Sequence, residues 1–137
     1  MILNSDYSSG LGAPKTFATE EQFQQYCFTW FWNEYPAYRQ MVFHIDNNSV
    51  NAIVGAKKRS MGVTKGISDF IFVCGNRTIY FVELKLPGRG QKREQKTFEA
   101  KLREFGHIYI IINTFEEFKR IVEACYGKGL EETRKLC

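Results

Sequence analysis

The succession of apolar and polar residues along the chain predicts alternating helices and strands. Thr19-Glu20-Glu21-Gln22 has the spacing of a capping box, and Phe23, Tyr26, Cys27 and Trp30 then recur on one helical face, so an amphipathic helix is expected that ends before Pro36. Met41-Val42-Phe43-His44-Ile45 is short, apolar and rich in strand formers, and Asp46-Asn47-Asn48-Ser49 supplies a turn able to cap a second helix. Val50, Ile53, Val54 and Met61 suit that helix, which carries Lys57-Lys58-Arg59 and stops at Gly62.

The stretch from Ser68 to Lys85, SDFIFVCGNRTIYFVELK, reads as two apolar strands joined by a turn at Gly75-Asn76-Arg77. Leu86-Pro87-Gly88-Arg89-Gly90 is a loop, followed by a helix whose Phe98, Leu102 and Phe105 face inward before Gly106. His107 to Ile112 reads as a buried strand. Thr114-Phe115-Glu116-Glu117 is a further capping box, opening a last helix through Phe118, Ile121, Val122 and Cys125. The order α-β-α-β-β-α-β-α predicts an α/β fold, a three-layer α/β/α sandwich with a small mixed central sheet. Residues 1–15, rich in Ser and Gly, read as a flexible N-terminal tail before one domain over residues 16–137.

Length and composition agree with one core: 137 residues, 44% of them hydrophobic, suffice for one ordinary domain and not for two. Cys27, Cys74, Cys125 and Cys137 form no C-x-x-C pair and have no zinc-ligand spacing, so reduced thiols in an intracellular protein are expected. The opening residues lack the basic start and long apolar core of a signal peptide, and no apolar stretch reaches membrane-spanning length. The expected compartment is the cytoplasm, with no membrane partner.

Charged residues inside the apolar hairpin need an explanation, because burying a lone charge is costly. A hairpin centred on Asn76 sets Asp69 directly opposite Glu83, with Cβ atoms about 5 Å apart, and like charges so placed repel unless something positive lies between them. Side chains alternate along a strand, so Glu83 and Lys85 share a face, which is also that of Asp69. Carboxylate oxygens with open water positions suit Mg²⁺ or Mn²⁺, whereas zinc favours His or Cys. Lys85 is then the cation beside the metal. A plainer alternative also fits the spacing: Asp69 caps a strand, and Glu83 and Lys85 decorate the solvated end of an edge strand.

These residues resemble a known family. Asp69, a strand-turn-strand spacer and Glu83-Leu84-Lys85 resemble the PD-(D/E)xK nuclease signature, and GVTKGISDF, FVELK and QKREQKTFEAKLREFGHIYIII are similar to its VRR-NUC branch. Glu20, Gln24 and Trp30 resemble that branch's N-terminal acidic motif, and His44-Ile45-Asp46-Asn47 its His-Ile-Pro-Asn segment, with Asp46 where proline is usual and Ser68 replacing the proline before the acid. The resemblance implies a restriction-endonuclease-like fold. It also implies a Mg²⁺- or Mn²⁺-dependent endodeoxyribonuclease whose metal ligands are Glu20, Asp69, Glu83 and the Leu84 carbonyl. Asp69, Glu83, Lys85 and Gln95 would be its catalytic residues. Glu21 competes with Glu20 for the first-helix position, and Glu20 is preferred because it lies one turn from Gln24 on the same face.

The net charge of +4, from 19 Lys and Arg against 15 Asp and Glu, gains meaning from its distribution. Lys57, Lys58, Lys65, Arg89, Lys92, Arg93 and Lys96 flank the expected site and are candidate DNA contacts. No RNP motif, zinc finger or recognition helix is present, so the cue is expected to be DNA shape. Stand-alone members of the VRR-NUC branch resemble Holliday-junction resolvases. That resemblance implies branched DNA as substrate, a homodimer, and a bacterial or phage-infected host cell. Phe28, Phe31, Trp32 and Tyr35 are the candidate dimer surface, with a broad core helix as the alternative. His44 and Met41 are expected in core or interface. Two other readings remain: a monomeric nuclease of flapped or single-stranded DNA, and a DNA-binding module without activity.

Overall fold

The computed structural model describes residues 16–46 and 50–127. The expected tail over residues 1–15, part of the turn after β1 and Cys137 lie outside the described residues. The elements are α1 (Glu20–Glu34), a short 3₁₀ turn (Pro36–Tyr38), β1 (Val42–His44), α2 (Ala52–Ser60), β2 (Phe70–Val73), β3 (Ile79–Leu84), α3 (Arg93–Glu104), β4 (Ile108–Ile112) and α4 (Phe115–Tyr126). Their order is the one the sequence pattern predicts.

Helix starts follow the expected chemistry. Thr19 Oγ1 accepts from Gln22 N at 3.1 Å, and Thr114 Oγ1 accepts from Glu117 N at 3.2 Å, each satisfying an amide that the helix itself leaves free. The second helix is capped by Asn51, whose Oδ1 accepts from Val54 N at 2.9 Å, rather than by the turn residues before it.

The four strands form one mixed sheet in the order β1-β2-β3-β4, antiparallel except for the parallel β3–β4 pair. Phe70 pairs with Val82 and Val73 with Ile79, the register of a hairpin centred on the Asn76 turn. Cys74 N donates to Thr78 O at 2.9 Å, which leaves Gly75-Asn76-Arg77 as the loop, and Asn76 and Arg77 both adopt left-handed backbone there (φ 56° and 60°).

Alternation along the strands separates two packed faces. Phe70, Phe72, Val82, Leu84 and Ile112 join Phe23, Cys27 and Phe31 of α1 and Phe118 and Val122 of α4 in the main core. On the opposite face, Phe98 of α3 meets Phe81 and Tyr109 edge-on. The result is the expected three-layer α/β/α sandwich. No helix of the described residues is long and apolar enough to cross a membrane.

Several expectations about individual side chains are corrected. Phe31 is fully buried, Phe28 stacks on Phe70, and Tyr35 stacks on Phe31, so α1 is a broad core helix and these rings do not form an open surface. Trp32 is half-buried and covered by Arg39, whose guanidinium lies 4.6 Å from the ring centre. Phe105 caps α3 and is exposed, because the helix ends there before its face returns to the sheet.

Helix α2 is inverted relative to its pattern. Gly55 is buried, whereas Val50, Ile53 and Met61 are 89%, 83% and 68% exposed. Cys74 and Cys125 form a disulfide instead of remaining reduced, because the last turn of α4 lies against the end of β2, where Tyr126 Oη donates to Val73 O at 2.8 Å. Cys27 is a buried free thiol, and burial pushes its pKa well above the usual value.

Candidate active site

The N-terminal turn of α1, the ends of β1 and β3, the segment before β2 and the first turn of α3 border a cleft of about 850 Å³. Gly66 lets two of these borders meet. It has φ +81°, and a Cβ there would lie 2.5 Å from the backbone carbon of Glu94. Only glycine tolerates both the backbone angle and the approach.

Asp69 stands where the hairpin ladder runs out. Its Oδ2 accepts from Leu84 N at 2.7 Å, so the carboxylate serves a strand amide beyond the last regular pair. Its carbonyl accepts from Ile45 N at 3.0 Å and lies 2.7 Å from His44 Nδ1, which ties β1 to the same point. Burial pushes the Asp69 carboxyl above the usual carboxylate range, and the neighbouring Glu83 charge adds to this. The Leu84 amide, His44 and Lys85 oppose it.

Glu83 is 1% exposed and its two oxygens differ. Oε2 accepts from Tyr109 Oη at 2.8 Å and from Gln91 Nε2 at 3.0 Å. Oε1 is buried with no hydrogen-bond partner, and Lys85 Nζ lies 3.9 Å away. Lys85 is 6% exposed, and its ammonium is also 4.0 Å from Glu20 Oε1. A buried lysine thus sits between two carboxylates, one from the sheet and one from α1. Burial and the adjoining Glu83 push the Tyr109 phenol pKa far up, so the hydroxyl stays protonated and donates.

The structure therefore brings Glu20, Asp69, Glu83, the Leu84 backbone and Lys85 to one place. Glu21 also lines the cleft, but the lysine pairs with Glu20. Among the described residues, no three His, Cys, Asp or Glu side chains gather into a metal-holding group. Gln95 lines the cleft as well, where its Oε1 accepts from Lys92 N at 2.8 Å and braces the start of α3. Of the basic residues, Lys65 and Lys92 line the cleft. Lys57, Lys58, Arg89, Arg93 and Lys96 lie outside its lining.

Sequence reasoning missed Tyr109, Gln91 and the cleft position of His44. Tyr109 reaches Glu83 through the parallel β3–β4 pairing, which no local pattern announces, and Gln91, just after the Leu86–Gly90 loop, opens a stretch whose family resemblance singled out neither residue. His44 did carry a signal, in the resemblance of its segment to a family motif.

No protein-family model and no curated protein matches the sequence. Among solved structures, a protein described as "VRR_NUC domain protein" superposes with a TM-score of 0.64 and 18% identity, over 81% of this chain and 89% of that one. The chain has the VRR-NUC fold. Asp69, Leu84 and Lys85 line the cleft from the sheet, Glu20 and Gln24 from α1 and Glu94 and Gln95 from α3, and Glu83 is buried beside Lys85.

Proposed function

We propose that the cleft is the active site of a metal-dependent DNA endonuclease that hydrolyses phosphodiester bonds. The observation that carries this reading is the state of Glu83: buried, held through Oε2 by two donors, and left with an unpartnered Oε1 beside Lys85. Nothing in a purely structural ion pair requires that arrangement, since a structural carboxylate normally satisfies both oxygens.

The donor set fits a hard divalent cation such as Mg²⁺ or Mn²⁺. The orphaned Glu83 oxygen, the Asp69 and Glu20 carboxylates and the Leu84 carbonyl are all oxygen ligands, the type such ions take. When bound there, the ion would supply Lewis-acid polarisation of the phosphate and an acidified water. Lys85 holds positive charge where the phosphate gains negative charge, or orients the attacking water. Lys65, Lys92 and the amide end of α3 receive flanking phosphates.

Branched DNA is the proposed substrate, cut by a homodimer. Two symmetric incisions need two sites, and a C2 dimer supplies them related as the junction arms are. The test is a panel of end-labelled four-way junctions, flaps, single strands and duplexes incubated with Mg²⁺, for wild type and Glu83→Gln. Paired incision of the junction by wild type alone is expected. Cutting by Glu83→Gln at the wild-type rate would sink the active-site reading. Selective cutting of flaps or single strands by a 16.0 kDa monomer would replace the junction reading with the flap reading.

A further inference from the structure

The outward stripe of α2 is a surface that the proposed cleavage chemistry leaves unexplained. Ile53, Lys57 and Met61 follow one another at four-residue steps, which places them on one side of the helix, and all three are exposed. Gly55 on the other side is buried, and Lys58 beside it is half-buried. Exposed apolar residues scattered singly are ordinary, but here two share one face around a lysine.

Two observations define the occupant of this face. The chain between Asp46 and Asp69 carries Lys57, Lys58, Arg59 and Lys65 and contains no acidic residue. A second copy seated face to face would bring that positive charge against itself, whereas a polyanion is complementary to it. The helix is also joined in sequence to the cleft on both sides, since the lining includes His44 before it and Lys65 and Gly66 after it. Ile53 and Met61, eight residues apart on a helix, are separated by about 12 Å along its axis, the rise of three to four stacked bases.

We propose that the outer face of α2 contacts DNA whose bases are unstacked, with Ile53 and Met61 packing against exposed bases and Lys57 taking a flanking phosphate. Apolar side chains inserted at a base step are a known way to hold opened or kinked DNA. This inference rests on the nuclease reading and deepens it: α2 selects opened over fully paired DNA beside a cleft that cuts either.

The test uses the full chain in EDTA and three DNAs of one sequence containing 2-aminopurine: a duplex, a gapped duplex and a four-way junction. Wild type is expected to bind the gapped and branched DNAs more tightly than the duplex and to brighten the 2-aminopurine as it unstacks. Ile53→Ser with Met61→Ser should lower that preference about tenfold and remove the brightening, while Ile53→Leu with Met61→Leu keeps both. Both positions are exposed, and melting curves check that each variant folds. If the Ser variant misfolds, wild-type brightening and the Leu variant decide.

An undiminished preference in a folded Ser variant, an equal loss on all three DNAs, or no brightening with wild type would overturn the proposal. So would a concentration-dependent dimer mass that the Ser variant abolishes, since a second copy would then cover the stripe. Wild type that cuts DNA with a neutral stripe overturns this inference alone. Wild type that neither binds nor cuts DNA overturns both readings.

Discussion

Tyr109 Oη donates to Glu83 Oε2 at 2.8 Å, and the oxygen left over, Oε1, is the one that faces Lys85. The phenol thus decides which carboxylate oxygen is free. Groups that orient a metal ligand from behind typically matter by about 10- to 100-fold in affinity or rate. Tyr109→Phe should therefore lower kcat by about tenfold or more with little change in KM, and weaken Mn²⁺ binding measured by calorimetry without DNA. Gln91→Leu should behave alike, and the pair should be less than additive, because both hold one oxygen. Wild-type Mn²⁺ affinity in Tyr109→Phe would remove the phenol from this role.

Asp69→Asn separates activity from stability. Cleavage should be lost with the carboxylate, yet the fold should gain at neutral pH, since an Asn oxygen can still accept from Leu84 N and no desolvated charge remains. The folded-state pKa of Asp69 is raised, so its protonated form carries the stability, which is full at low pH and lost as pH rises through that pKa. The melting-temperature advantage of Asp69→Asn in EDTA should thus be present at about pH 7 and shrink as the pH falls towards about 4. An advantage that grows on acidification would contradict this.

Glu20→Gln should reduce cleavage more than Glu21→Gln, because Glu20 Oε1 is the α1 oxygen placed 4.0 Å from Lys85 Nζ. Initial rates on one DNA substrate decide the order. The reverse order would transfer the role to Glu21.

Lys65→Ala and Lys92→Ala should weaken DNA binding across sequences and each flatten the slope of log affinity against log salt by about one unit. Anisotropy titrations at several salt concentrations measure it. An unchanged slope would mean that neither lysine meets a phosphate.

Cys74→Ser should lower stability, since the Cys74–Cys125 bond closes a loop with a sequence separation of 51. Chain entropy assigns a loop of that length about 4 kcal/mol. Denaturant unfolding with and without reductant checks this, and wild type insensitive to reductant would show that the bond contributes nothing.

What the sequence made legible was local. The acid pair could be placed because its register depends on one turn, and Asn76 and Arg77 accept the left-handed backbone that turn needs. The α2 pattern gave the helix and not its direction, because periodicity defines a stripe and says nothing of where the sheet lies. Here Gly55 is the buried residue, and the larger Ile53 and Met61 are left outside. The donors to Glu83 and the partner of Cys74 were hidden because they come from elements joined only by tertiary pairing.

That difference in range has a consequence for the order of folding. Asp69 and Leu84 are 15 residues apart and are joined through a tight hairpin, of a kind that closes in roughly microseconds. Tyr109 is 26 residues from Glu83 and arrives only when α3 has carried the chain back to lay β4 parallel to β3, a pairing with no short connection. The acids therefore meet before the phenol reaches them. Docking of β4 is the step that brings the phenol and makes the site whole.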